Sequence, residues 1–259
     1  MNDPSIAPTP TRWDAYWDRQ AQTGFISAPD EPWRALCSCT SVSGLQVLDL
    51  ATGTGGTAAR LAAAGAAVTA VDLSLRSLQI ARATAHRQGV EIALLCADAL
   101  RLPFQDDSFD VVVSLSVMHY FRDPTPFLAE VSRILRQDGW VLIEVPQKYS
   151  LFTLYKRWRM ARGRWEYGEW ETEYSPKALG QLLRRNGFVP KQFYAREYYP
   201  YLYYAVRHLA KLERRLGIPI LPAPIWQAYE RLWRRLEQGW WGLHTLRDVG
   251  LVARKAGAK

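Results

Sequence analysis

One segment limits the fold more than any other. The apolar run Val47-Leu48-Asp49-Leu50 enters Ala51-Thr52-Gly53-Thr54-Gly55-Gly56, an Ala-rich stretch follows, and a second apolar run, Val68-Thr69-Ala70-Val71, ends on Asp72. A strand, a glycine turn, a helix and a second strand ending in a carboxylate make a βαβ unit of the nucleotide-binding kind. Gly53 and Gly55 lack the Cβ that would hold a ligand off the backbone, and either can take a positive φ. Asp72 is placed to accept hydrogen bonds from two ribose hydroxyls. Gly53-x-Gly55-x-x-Ala58 also fits the dinucleotide fingerprint, with Asp72 at the required spacing of ~20 residues, so this segment alone leaves an NAD(P)-dependent oxidoreductase open.

Two more acids change the ligand. Asp49 stands at the end of the first strand, where a dinucleotide enzyme brings a pyrophosphate onto the helix N-terminus. A carboxylate there opposes a phosphate and suits a cation such as an α-amino group or a sulfonium. Asp98 follows the apolar run Ile92 to Ala97 and is placed to bond an adenine amino group. Asp49-x-Ala51-x-Gly53-x-Gly55, Asp72, Ala97-Asp98-Ala99 and Phe109 to His119 together resemble the ordered motifs of the class I S-adenosylmethionine-dependent methyltransferases, in their small-molecule branch. The likeness covers about residues 45–146. Members of that family usually carry glycine where this chain has Ala51, and often cysteine where it has Thr52.

The resemblance implies S-adenosyl-L-methionine as cofactor. Its expected contacts are Asp49, Gly53 and Gly55 for the amino-acid portion, Asp72 for the ribose, Asp98 and Ala99 for adenine, and Leu115 through its carbonyl, with Ala51, Leu73 and Tyr16 also lining the site. It further implies a short N-terminal helix covering the cofactor. Trp13, Tyr16, Trp17 and Ala21 have the spacing of one helical face.

Strands are expected at 45–50, 67–72, 91–95, 109–115 and 140–145, with helices at about 56–64, 75–88 and 126–136; Asp138-Gly139 is read as the end of the last. Ser74 is the N-cap of the second helix and Ser175-Pro176 opens a later one that ends at Asn186-Gly187. A strand at about 188–194 and a last one at 249–254 complete the sheet. The fold class is α/β: a Rossmann-like, doubly wound sheet, mostly parallel with an antiparallel last strand, plus a helical basic and aromatic insertion. Residues 1–12, with three prolines, read as a disordered or extended arm, 13–146 as the cofactor-binding core, and 147–259 as completion of the sheet with lid insertions at 147–174 and 200–245. In the second insertion, amphipathic helices are expected over 201–216 and from Ile225, separated by Pro219, Pro222 and Pro224.

Charge divides the chain at the same place. Residues 1–146 hold 11 Lys/Arg against 16 Asp/Glu, whereas residues 147–259 hold 22 against 9 and 7 of the 11 Trp. A basic, aromatic half attached to a cofactor core suits an apolar or aromatic acceptor, and its Arg-rich faces suit an anionic membrane surface. Nucleic acid is disfavoured, because no recognised RNA-binding module accompanies the core; an RNA methyltransferase ranks below the small-molecule reading. Cys37, Cys39 and Cys96 lack metal-ligand spacing and read as reduced thiols, so no metal is expected. Without an apolar leader segment or a long apolar run, the expected location is cytoplasmic, with membrane association left open.

The expected function is methyl transfer to a small apolar, aromatic or lipid-like metabolite, with a non-catalytic cofactor-binding scaffold as the other class. His119, after the fourth strand, is the candidate base, on the expectation of a pKa near neutrality. Trp17, Tyr120, Trp165 and Trp170 are the candidate acceptor contacts. The acceptor atom and the oligomeric state are not legible.

Overall fold

Val111 to Val113 and Val141 to Val145 are almost unbroken apolar runs, the pattern of strands covered on both faces. In the computed structural model, which describes residues 10–23, 29–163, 171–196 and 240–257 together with 224, 228, 231 and 235, they lie at the centre of a seven-stranded sheet. The strands are β1 (Gln46–Leu50), β2 (Ala67–Asp72), β3 (Ala93–Cys96), β4 (Phe109–Leu115), β5 (Leu135–Pro146), β6 (Phe188–Arg196) and β7 (Asp248–Lys255). Their order is β3-β2-β1-β4-β5-β7-β6, parallel except that β7 runs antiparallel to both β5 and β6.

Side chains alternate between two cores. Leu48, Leu50, Val112 and Ile143 join Phe127, Leu128 and Val131 on one face. Val47, Val111, Val113 and Leu142 join Leu36, Ala58 and Leu61 on the other. The helices are α1 (Pro10–Thr23), α2 (Asp30–Cys37), α3 (Gly56–Ala63), α4 (Leu75–Arg87), α5 (Thr125–Ile134), α6 (Leu151–Ala161), α7 (Pro176–Arg185) and α8 (Trp240–Thr245). Ser74 and Ser175 cap α4 and α7 as expected, accepting from the backbone N–H groups of Ser77 and Ala178.

Several boundaries differ from expectation. Helix α1 starts at Pro10, inside the segment read as an extended arm, because proline suits a first helical turn. Helix α5 ends at Ile134 and β5 begins at Leu135, so Asp138-Gly139 does not stop a helix. Asp138, at φ +61°, instead sits in an irregular start to the strand, where pairing with β4 slips between Phe109 and Val111. β3 starts two residues later than expected. Helix α2 was not anticipated, being short and carrying a proline. Of the helices expected over 200–245, Pro224, Ala228, Arg231 and Arg235 are helical and exposed; residues 201–216 and the apolar positions of the second helix lie outside the described residues.

The β6–β7 pairing rests on one glycine. Tyr194 is in register with Gly250 and lays its ring over it, so that a Cβ at Gly250 would stand 2.0 Å from the ring. Gly250→Ala should therefore cost about 2–3 kcal/mol through overpacking, read as a lowered urea midpoint. Combining it with Tyr194→Ala should cost less than the two single losses added together, and strict additivity would show that the ring is not the obstacle.

Candidate cofactor and acceptor crevice

Ligands of parallel α/β sheets sit beyond the carboxyl ends of the strands, and Asp49, Asp72, Asp98 and Leu115 all lie there. The structure brings these ends together around the loop of residues 51–55. Thr52 donates its backbone N–H to Val71 O at 3.0 Å, and Gly53 donates its N–H to Asp72 Oδ2 at 2.9 Å. Ser77 Oγ donates to Gly53 O at 2.7 Å. The loop is thus tied to β2 and α4 by its own backbone.

Its conformation is left-handed at three positions: Ala51 at φ +61°, Gly53 at +55° and Gly55 at +71°. Ala51 holds a geometry that costs an L-residue roughly 1–2 kcal/mol. The two glycines do different work. A Cβ on Gly55 would fall 2.6 Å from Ala81 Cβ, so this glycine serves the close packing of α3 on α4. A Cβ on Gly53 would fall 2.8 Å from the Trp17 indole. Gly53 alone keeps its missing Cβ toward the crevice.

Asp49 is 2 % exposed and points beneath the loop. It accepts from Thr52 Oγ1 at 2.6 Å, and the backbone N–H of Ala58 in the first turn of α3 acts on its charge. Burial, opposed by the Thr52 bond and helped by the charge of Asp72, pushes its pKa up to about 6. A carboxylate already occupies the helix N-terminus where a diphosphate would bind. Asp72 accepts from the N–H groups of Gly53 and Ser74, and burial raises its pKa as well. Two bonded oxygens still leave lone pairs for ribose hydroxyls. Asp98 is exposed, accepting from Leu100 N at 2.9 Å, with half-buried Ala99 beside it and half-buried Leu73 following Asp72. The loops 51–55, 73–74 and 97–99 contain no Lys or Arg. That donor set fits a cationic nucleoside and opposes a dinucleotide, so the residues suit S-adenosylmethionine.

Helix α1 lies across this crevice. Asp14 accepts from Ser74 Oγ and from Arg76 N, and Asp18 pairs with Arg76 at 2.7 Å. Edge-to-face contacts then run from Trp17 to Tyr16, to Trp13 and to Tyr120, with centroids 4.9, 5.7 and 5.1 Å apart. Tyr120 in turn lies 4.1 Å from His119. Tyr16, Trp17, Tyr120 and His119 therefore lie along one run of ring contacts. Trp165 and Trp170 lie outside the described residues.

His119 departs from expectation in its electrostatics. It is 3 % exposed, and burial together with the charges of Lys156 and Arg247 lowers its pKa to about 3. The imidazole is neutral at neutral pH, and among the described residues its Nδ1 has no hydrogen-bond partner. The expectation of a pKa near neutrality is overturned, because the sequence does not reveal how deeply the ring is buried, nor the cations near it.

Sequence reasoning missed a buried network on the acceptor side. Glu144, fully buried, accepts from Arg196 at 2.7 and 3.1 Å, from Tyr194 Oη at 3.0 Å and from Ser116 Oγ at 3.3 Å. Arg196 also reaches Asp248 at 3.2 Å. Ser116, at φ +63°, follows β4 at the crevice. The available signal was a lone carboxylate in the run Val141 to Val145, which demands a partner when both faces are covered. Among the described residues no cluster of His, Cys, Asp and Glu could hold a metal ion, and no helix is long and apolar enough to cross a membrane.

The two perturbed groups act oppositely on stability. Asp49, raised from 3.8, costs the fold nothing below pH 3.8 and roughly 3 kcal/mol above pH 6. His119, lowered from 6.5, costs nothing above pH 6.5 and up to roughly 5 kcal/mol as pH falls to 3. Between pH 7.5 and 4.5 they offset. Urea titrations at the two pH values should show Asp49→Asn losing more stability on acidification than the parent and His119→Asn losing less; parallel losses in all three would refute both assignments.

Known proteins share these features. The methyltransferase domain family matches residues 48–143. A demethylmenaquinone methyltransferase of Clavibacter sepedonicus is 37% identical over 116 residues, 44% of this chain and 47% of that protein. A phthiotriol/phenolphthiotriol dimycocerosates methyltransferase of Mycobacterium leprae is 30% identical over 169 residues, 62% of this chain and 56% of that one. A demethylmenaquinone methyltransferase of Mycobacterium sp. (strain KMS) is 29% identical over 89% of this chain and 84% of its own. Against the first of these relatives the match spans about half of their length. Among solved structures, the [4+2]-cyclase SpnF superposes with a TM-score of 0.64 at 19% identity over all of both chains. A putative methyltransferase of Haloferax volcanii, in complex with the activator Trm112, does so with 0.62 at 20% identity over 97% of this chain and 99% of that one. These two show the fold alone. The motifs, the sheet order and the family match together make this chain's core a class I S-adenosylmethionine-dependent methyltransferase domain.

Proposed function

We propose that the protein transfers a methyl group from S-adenosyl-L-methionine to a small lipid-like acceptor bearing an apolar or aromatic body. The observation that carries the reading is the crevice with carboxylates at one end and the aromatic contacts of Tyr16, Trp17 and Tyr120, ending at His119, at the other. The names of the relatives, demethylmenaquinone and phthiotriol dimycocerosates methyltransferases, support an acceptor of this class.

When bound, the cofactor supplies a methyl group on a cationic sulfur. Asp72 would hold the ribose, Asp98 and Ala99 the adenine, and the loop from Ala51 to Gly55 the amino-acid end. Asp49 acts on that end as a buried negative charge rather than through a broad contact. The Trp17 indole beside Gly53 would offer π-electron density to a cationic ligand. The main task of these residues is alignment, worth up to ~7–11 kcal/mol in favourable systems.

His119 serves as a neutral hydrogen-bonding group that orients the acceptor. An imidazole with a pKa of about 3 does not hold a proton at neutral pH. The peripheral partner proposed for this reading is an anionic membrane surface, where lipid-like acceptors reside.

Titration calorimetry with S-adenosylhomocysteine should show binding that Asp72→Ala weakens at least tenfold, whereas NADH should not bind; NADH binding without S-adenosylhomocysteine binding would refute the cofactor. Labelled methyl transfer to quinol and phenol lipids should then identify the acceptor class. In that assay His119→Asn should raise KM more than it lowers kcat, and the parent's rate should show no inflection near pH 6.5. A group of pKa 6–7 in the profile that disappears in His119→Asn would make His119 a base instead.

A further inference from the structure

Helix α6 is inside out. Its buried side chains are Thr153 and Lys156, and the Lys156 ammonium meets Glu171 and Glu173 at 2.7 Å each. Leu151, Leu154 and Trp158, spaced as one helical stripe, are 51, 52 and 48% exposed on the other side. A helix that packs only on its own protein turns such a stripe to the core. Here a lysine takes that place, and its desolvation has to be offset by two carboxylates.

The exposure is concentrated. Of the eight large apolar side chains exposed among the described residues, Tyr149, Leu151, Leu154, Trp158 and Met160 fall within twelve consecutive positions. A sixth, Trp241 on α8, belongs to the same rim: Gln147 Nε2 donates to Leu243 O at 3.1 Å, and the Arg247 guanidinium lies 5.0 Å over the Phe152 ring. Beside the stripe, residues 147–162 carry Lys148, Arg157, Arg159 and Arg162 without any Asp or Glu, Arg157 pairing with Glu173 at 2.7 Å. Arg162 lies 4.1 Å over the Trp158 ring, at the edge of the stripe.

We propose that the α6 face formed by Leu151, Leu154 and Trp158 docks the protein on an anionic phospholipid bilayer. The inference rests on the proposed lipid-like acceptor and names the surface through which it arrives. Apolar side chains reaching the acyl boundary, ringed by cations that meet the headgroup phosphates, are what an interfacial helix presents. A second copy of this chain fits less well, because two such faces would oppose cation to cation. The position is apt as well. α6 follows directly from the carboxyl end of β5, and the segment that holds Lys156 also donates Thr172 N to His119 O at 2.9 Å, so docking turns the acceptor end of the crevice toward the lipid.

The test floats the full chain with vesicles of phosphatidylcholine, and with vesicles in which about a third of the lipid is phosphatidylglycerol. The expected result is flotation with the anionic vesicles, reduced by added salt and reduced about tenfold or more by Leu154→Glu combined with Trp158→Glu. The double variant should bind S-adenosylhomocysteine as the parent does, which shows it folded. Absence of flotation, or equal flotation of the double variant, overturns the docking face. So does a lipid-free dimer that the double variant dissociates, which would make the occupant a second copy. Flotation is read without catalysis, so failure of the methyl-transfer reading appears separately, as absent S-adenosylhomocysteine binding.

Discussion

The buried carboxylate of Asp49 is the contact on which the cofactor end of this structure depends. It sits under the turn, receives the Thr52 hydroxyl, and faces the first turn of α3, where strand, loop and helix meet. A helix N-terminus favours negative charge by a few tenths of a kcal/mol up to ~2 kcal/mol in partly buried settings. That gain opposes the larger desolvation penalty that raises the pKa to about 6. With the helix N-terminus filled from within, no phosphate is needed there. On the proposed reading the same glycine loop that elsewhere serves diphosphates takes a cation, through a residue outside the Gly-x-Gly triplet.

The acceptor half is organised by buried ion pairs. Glu144, Arg196 and Asp248 join the ends of β5, β6 and β7, while Lys156, Glu171 and Glu173 join α6 to the segment before α7. Such pairs seldom add net stability over apolar replacements, but removing one member leaves a buried charge unpaired and costs several kcal/mol. Their effect is geometric: they fix which strands and helices meet at the carboxyl rim. The left-handed Ser116 beside Glu144 shows that the backbone there is held in a conformation it would not choose alone.

What was legible in the sequence follows from range. The strand–loop–helix order, the carboxyl ends of the strands and the Ser74 and Ser175 caps are encoded within a few residues of where they act, and these appear as read. The last strand was legible from its apolar pattern, and its antiparallel direction only from the family resemblance. Contacts made at long range were not. Arg196 is 52 residues from Glu144, and nothing local in Tyr194 announces that Gly250 lies beneath its ring. Gly55 was read as a ligand-facing glycine, yet its neighbour is Ala81 on another helix. The stripe on α6 was legible as an amphipathic pattern, but which side faces inward depends on Glu171 and Glu173, ten or more positions away.

The charges around His119 bear on whether methyl transfer in this crevice needs a base at all. Burial first, and the charges of Lys156 and Arg247 after it, lower the pKa of His119. Those two cations favour an oxyanion beside the ring, whereas the burial that dominates at His119, and the carboxylates of Glu171 and Glu173 paired with Lys156, oppose one. At the other end of the crevice the carboxylates of Asp49, Asp72 and Asp98 favour a cation. On the proposed reading the proton of an acidic phenol or quinol passes to water, and His119 presents an uncharged nitrogen to the acceptor. A protonated imidazole would add a second cation facing the sulfonium, so depressing its pKa to about 3 removes a repulsion as well as a base.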